Sequence, residues 1–322
     1  MKCYKAIEGG ASLILFGIMG VFLASILFHF TLSAPVDFPI GKLLSVERDV
    51  PVSGVAQTLK DGQAIHSTFV FRVFVALFGS KGGVMAGDYA LNKKQSVYSL
   101  AYRLVHAQYE LKPVKITIPE GLNVAEIGKI LSDNLYQFDA KKFSTLASEY
   151  EGYLFPNTYF FLPTIKPDEV IRVLNQTFKE TIKPIELDMR KSKHTISDIV
   201  TMASILEEES RGVDMPIVAG ILWRRLSIGM PLQVDATFVY VNGKRKSSDL
   251  TMDDLKIDSP YNTYVRKGLP PTPISNPGLA ALRAAINPTE KPYYFYLTGR
   301  DGKMHYAVTF DEHVANKIRY LY

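Results

Sequence analysis

Between Gly9 and Val36 the chain carries no Asp, Glu, Lys or Arg, and this stretch constrains the fold more than any other feature. Its apolar heart, Ala11 to Leu32, is long enough to cross a bilayer as a helix, which takes about 20 residues. Ser33-Ala34 would also suit signal-peptide cleavage. The run is longer than a usual signal core, however, and Pro35 would follow the cut, so one uncleaved span is the favoured expectation. Lys2 and Lys5 before the span are matched by Lys42 and Arg48 after it, which leaves the orientation open on the positive-inside count. A second apolar run, Thr68 to Gly79, contains Arg72 and is too short to span; it is expected to be a core helix.

With 322 residues, 47% of them hydrophobic and 21% charged, the chain can bury a sizeable core and is expected to form two compact units. The formal charge of +5 suits an acidic polymer or an anionic membrane surface without choosing between them. Lys and Arg are spread along the chain and match no nucleic-acid motif, so no nucleic-acid partner is expected. Cys3 is the one cysteine, which excludes an intrachain disulfide, and none of the six histidines has HExxH spacing. Neither a metal nor a cofactor is expected.

Beyond the anchor, Pro35, Pro39 and Pro51 mark a linker or first strand, with order beginning near Val52. Gly87-Asp88-Tyr89 precedes a Ser96–Leu104 helix. A Val114–Ile118 strand, alternating with period two, then turns through Pro119-Glu120-Gly121 into a Val124–Leu131 helix. From Glu151 the texture changes to dense aromatics, a helix from Asp168 to about Ile182, a second from Thr195 to Ser210, and proline-rich loops. The class is α+β. The expected divisions are residues 1–33 as tip and anchor, 34–145 as linker and small α+β region, and 146–322 as a second domain.

The Thr195 helix opens with a possible capping box to Asp198 and ends in Glu207-Glu208-Glu209-Ser210. At about 100° per residue, Glu208 points to solvent, whereas Glu207 and Glu209 lie along the edges of the apolar face. There, burial and a neighbouring carboxylate would both raise a pKa, as general acid chemistry on a glycosidic oxygen requires. A solvated acidic helix end is the plainer alternative, and geometry does not choose between Glu207 and Glu209. In extended form Gln233, Asp235 and Thr237 would share one face. Tyr261-Asn262-Thr263-Tyr264 offers groups suited to sugars and equally to tying down a turn.

Several blocks in order resemble the endolytic murein transglycosylases, the YceG-like family. They are Glu151-Gly152-Tyr153-Leu154-Phe155-Pro156-Asn157-Thr158-Tyr159, Ala203 through Ser210, and Arg225-Leu226-x-Ile228-Gly229-Met230-x-Leu232-Gln233-x-Asp235-x-Thr237. Ser259 through Tyr264, Gly268-Leu269-Pro270-Pro271-x-Pro273-Ile274-x-Asn276-Pro277-Gly278 and a terminal Thr309-x-x-Glu312-His313 complete the set. The resemblance covers roughly residues 85 to 322 and implies a LysM-like region followed by a YceG-like catalytic domain. It implies Glu209 as the catalytic residue, and Gln233, Asp235, Thr237, Tyr261, Asn262 and Thr263 as cleft positions that bind substrate. It further implies an enzyme that cuts the MurNAc-GlcNAc bond of peptidoglycan glycan strands to leave 1,6-anhydro ends and so terminates strand elongation. That enzyme would be single-pass in the cytoplasmic membrane, with its catalytic domain outside, near the peptidoglycan synthases (penicillin-binding proteins). A membrane-anchored glycan-binding scaffold without activity and a muramidase using water are the alternatives. Before Gly87 the match is weak, and the middle Glu of the triplet adds a charge beside Glu209.

Overall fold

A computed structural model describes Met19, Phe28 and residues 30–79, 83–210, 214–242, 251 and 253–322. Most of the Ala11–Leu32 span lies outside these residues. Among those described, no helix is long and apolar enough to cross a membrane. The described chain is a mixture of helices and short antiparallel sheets, the α+β class, and divides into two compact units meeting at Lys112/Pro113.

In the first unit, β1 (Leu43–Val46) pairs antiparallel with β2 (Gly87–Ala90), and α1 (Val52–Asp61), α2 (Thr68–Leu77) and α3 (Val97–Val105) pack around them. Order therefore begins before Val52, because β1 has a partner distant in sequence. Val55, Leu59, Phe71, Tyr89, Leu100 and Leu104 form the core. Buried Arg103 ties the end of α3 to β2. Its guanidinium donates to the carbonyls of Ala90 and Tyr109 and to Gln95 Oε1, and it pairs with Glu110 at 3.3 Å. The expected core helix at 68–79 is a helix, capped by Ser67, but it buries only Phe71 and Val75 fully. Its other face remains apolar and exposed.

In the second unit, β3 (Val114–Ile118) pairs antiparallel with β4 (Asn157–Phe161) in the register Ile116↔Tyr159. The period-two alternation sends Ile116, Ile118, Tyr159 and Phe161 inward. Against that face lie α4 (Val124–Asn134), started by an Asn123/Glu126 capping box, and α5 (Ala140–Ala147). The expected boundary at 145/146 falls within α5.

Helix α6 (Pro167–Lys191) continues well past Ile182, through Pro184. A proline inside a helix removes one backbone bond, yet buried Ile182, Ile185 and Met189 keep the last turns seated. Its first half, through Val170 and Leu174, joins the core of β3, β4, α4 and α5; its second half joins the core of the helices that follow.

Those helices are α7 (Ile196–Glu209), α8 (Met215–Ser227), α9 (Ala236–Asn242) and α10 (Leu279–Ile286). The hairpin β5 (Phe295–Thr298) and β6 (Met304–Ala307) and the terminal α11 (Phe310–Leu321) complete the unit. The Thr309/Glu312 motif is the capping box of α11. Every residue of α7 from Ile199 to Leu206 is buried, so this helix is the axis of the unit and not a surface element. Its small residues admit close neighbours. Ser204 Oγ accepts from Ile274 N at 3.0 Å, and the carbonyl of Ser204 accepts from Ser275 Oγ at 3.2 Å, which clips the proline-rich loop to α7. Gly220 on α8 is required for the same reason: a Cβ there would meet the Thr289 carbonyl oxygen at 2.2 Å.

Candidate active site

The C-terminus of α7 presents the three carboxylates in three environments, as the helical spacing predicts. Glu208 is exposed, and Glu207 and Glu209 are intermediate. The structure separates the last two. Glu207 Oε2 accepts from Gly278 N at 2.9 Å, at the start of α10, and so fastens the proline-rich loop. Glu209 instead faces the segments that carry the other candidate residues. Its Oε1 accepts from Ala236 N at 3.4 Å, and its Oε2 accepts from the Tyr296 hydroxyl at 3.1 Å.

Burial, followed by the negative charge of Asp235, raises the Glu209 pKa from 4.5 to about 7. The Ala236 and Tyr296 hydrogen bonds and the charge of Arg225 hold it from rising further. Arg225 is buried on α8, where Nε donates to the Tyr294 carbonyl at 2.7 Å and Nη1 to that of Leu232. Desolvation lowers its own pKa. With its guanidinium committed to two carbonyls, Arg225 acts on Glu209 as a fixed nearby charge.

The six expected cleft residues fall into two groups. Gln233, Asp235 and Tyr261 keep solvent access. Asp235 accepts from the Tyr264 hydroxyl, and Tyr261 bonds Thr272 Oγ1 at 2.7 Å and leans on Tyr240 with ring centroids 5.1 Å apart. Thr237, Asn262 and Thr263 are buried and spend their polar atoms on the loops themselves. Asn262 Nδ2 donates to the carbonyls of Leu255 and Ile257, and its Oδ1 accepts from Tyr264 N. Thr237 Oγ1 donates to the Val234 carbonyl, while Thr263 Oγ1 accepts from Val234 N. The extended alternation expected from Gln233 to Thr237 does not form. Gln233 has φ of 51°, and the chain turns there into α9, so Thr237 points into the core.

Two site residues were not singled out from sequence. Tyr296 lies 87 positions from the carboxylate it touches, and its only trace in the sequence is its place in the aromatic run Tyr293-Tyr294-Phe295-Tyr296. Glu151 is the second carboxyl pushed to about 7, chiefly by burial. It accepts from Val124 N and from Asn276 Nδ2, the latter at 2.9 Å, so it sits beneath the loop that Glu207 fastens from the other side. Only 5% of Glu151 is exposed, which makes it a structural carboxyl, whereas Glu209 is accessible.

A model of the YceG-like family matches residues 44–319. The chain belongs to the YceG-like family. The endolytic murein transglycosylase of Bacillus subtilis strain 168 is 31% identical over 298 residues, which cover 84% of this chain and 82% of the relative. That of Streptococcus pneumoniae serotype 2 strain D39 is 27% identical over 307 residues; the match takes in 82% of this chain and 56% of the pneumococcal protein. A crystallised YceG-like protein of Listeria monocytogenes superposes with a TM-score of 0.58 at 26% identity, covering 85% of this chain and 98% of that one. The family match spans both described units, including the stretch before Gly87 that resembles the family only weakly in its motifs.

Within this YceG-like chain, the Tyr296 contact yields a direct expectation. Tyr296→Phe removes a hydrogen bond that favours the ionised form of Glu209, so the Glu209 pKa should rise. If Glu209 enters the reaction protonated, as the acid, the descending limb of the pH–rate profile moves to higher pH. An unmoved limb with reduced overall rate would mean that Tyr296 acts only on substrate.

Proposed function

We propose that the chain is an endolytic murein transglycosylase, a lyase of peptidoglycan glycan strands, with Glu209 as its single proton-transfer group. The observation that carries this reading is one accessible carboxyl, raised to about 7 and held on both oxygens, in a member of a family whose Bacillus relative bears that name. A group with that pKa is populated in both protonation states near neutrality, as a residue that serves first as acid and then as base requires.

The reaction balances on this one group. Protonated Glu209 gives its proton to the oxygen between N-acetylmuramic acid and N-acetylglucosamine as the C1–O bond breaks. The C6 hydroxyl oxygen of the same muramic residue closes on C1, and its proton returns to the Glu209 carboxylate. No water is consumed, and because the nucleophile is intramolecular its effective concentration is high. Asp235 keeps Glu209 protonated by charge, and with Gln233 and Tyr261 it offers polar and aromatic surface to sugar. Thr237, Asn262 and Thr263 contribute by holding the loops that carry those groups.

On the same reading, residues 11–32 anchor the chain once in the cytoplasmic membrane and residues 113–322 work on its outer side. There the enzyme would release nascent strands beside the peptidoglycan synthases. Isolated glycan strands treated with the purified protein in ¹⁸O-water test the chemistry. Mass spectrometry should show unlabelled 1,6-anhydromuramic ends. Labelled reducing ends would instead identify a muramidase, and glycan binding without product a scaffold; either result overturns the proposal.

A further inference from the structure

Helix α2 is apolar on every side. Phe71 and Val75 are buried, and Val70, Phe74 and the following Phe78 pack against the same core. The outward face carries Phe69 and Leu77, each 70% exposed, with Val73 and Ala76 between them and Arg72 as its one charge. Positions 69, 73, 76 and 77 fall on a single stripe. A helix with no polar face is covered when it works. At ten residues, about 15 Å, α2 is too short to cross a bilayer and long enough to lie along one.

Contacts at both ends indicate what covers it. At the start, the ring of Phe30, within the uncharged N-terminal stretch, meets His66 with centroids 4.3 Å apart, and Ser67 then caps α2. The chain therefore leaves its proposed membrane span at the head of this helix. At the far end, Phe78 lies edge-on to Tyr98 and Tyr102, with centroids at 5.2 and 5.4 Å, and both tyrosines are partly exposed. Phenol rings placed so suit the headgroup layer, where one end of the ring is dry and the other wet. Alongside Phe69 and Val73 runs a cavity of about 430 Å³ lined also by Val52, Arg72, Val75 and Ala76. Acidic residues are absent from α2, so nothing on its face repels lipid phosphate, and the Arg72 stem can lie along the apolar surface while its head reaches a phosphate.

We infer that α2 is a second membrane contact, lying in the lipid–water interface with Phe69, Val73, Ala76 and Leu77 in the acyl boundary and Arg72 at the phosphates. The inference rests on reading residues 11–32 as the anchor. Its consequence is that the first unit is held against the bilayer in one orientation instead of turning freely on its linker, because the anchor keeps the helix at high effective concentration near lipid.

The test uses the full chain in vesicles of phosphatidylglycerol and phosphatidylcholine. With Cys3 replaced by serine, one nitroxide label is placed through Leu77→Cys and, in a second variant, through Gln57→Cys on the exposed side of α1. Flotation with the vesicles reports the anchor; collision with oxygen and with a water-soluble nickel chelate reports the surroundings of each label. Expected is flotation of both variants, with the label at 77 about tenfold less accessible to nickel than the label at 57 and richer in oxygen collisions, as in an acyl environment. Flotation with equal nickel access at both sites overturns the inference and leaves the anchor standing. Protection from nickel without oxygen enrichment also overturns it, because the cover is then protein. Failure to float removes the anchor and the inference together.

Discussion

Glu209→Gln is expected to reduce formation of 1,6-anhydro ends by about 100- to 10,000-fold, the range that a positioned acid–base group supplies. The amide keeps the size of the carboxyl and can still accept from Tyr296 or Ala236, so the loss would be of the proton and not of the site. Stability should move the other way at alkaline pH. The folded pKa of Glu209 is raised from 4.5 to about 7, so its favourable contribution is complete below about pH 4.5 and disappears as pH rises through 7. Above that, the wild type holds a desolvated carboxylate facing Asp235, and the variant does not. The melting temperature of Glu209→Gln should therefore match or exceed that of the wild type at pH 8. A variant that melts normally and still makes anhydro ends would sink the assignment. One that loses activity and melts well below the wild type at pH 8 would show that Glu209 is structural.

Much of this site is legible in the sequence because much of it is local. The Thr195/Asp198 capping box and the sides taken by the three glutamates depend on spacings within one helix, and the structure reproduces them. What distinguishes Glu207 from Glu209 is not local. It depends on Gly278 meeting the first and Tyr296 the second, contacts 71 and 87 positions apart. The Gln233–Thr237 segment misleads for a related reason. Its alternation is real, but a left-handed turn at Gln233, whose N–H donates to the Thr263 carbonyl at 3.0 Å, converts it from strand to helix entry. Pro184 similarly suggests an end to α6 that tertiary packing overrides. In α2 the apolar periodicity identifies a helix and cannot tell a buried face from one reserved for lipid.

A second large effect belongs to Glu151, which is buried beneath the proline-rich loop. Its carboxyl is pushed from 4.5 to about 7 chiefly by burial, against hydrogen bonds from Val124 and Asn276 that favour ionisation. The sign follows as for Glu209: stability is present at low pH and lost as pH rises through about 7. A shift of this size corresponds to about 3 kcal/mol between pH 5 and pH 8. Glu151→Gln should abolish that slope. The amide oxygen can take the place of Oε1, accepting from Asn276 Nδ2 at 2.9 Å and Val124 N at 3.2 Å, while its NH2 group turns to the Tyr240 hydroxyl. Denaturant unfolding at both pH values should thus show the variant nearly level, and more stable than the wild type at pH 8. Glu151→Leu removes charge and acceptor together. It strands the Val124 N–H and the Asn276 amide, and should leave the protein less stable than Glu151→Gln by about 2 to 4 kcal/mol at either pH. Asn276 also donates to the Leu122 carbonyl and accepts from Leu154 N, so that loss would loosen the loop on which Glu207 and Ser204 depend for their partners. If the glutamine variant instead unfolds as easily as the leucine one, the carboxyl's charge, and not its shape, is what the loop requires.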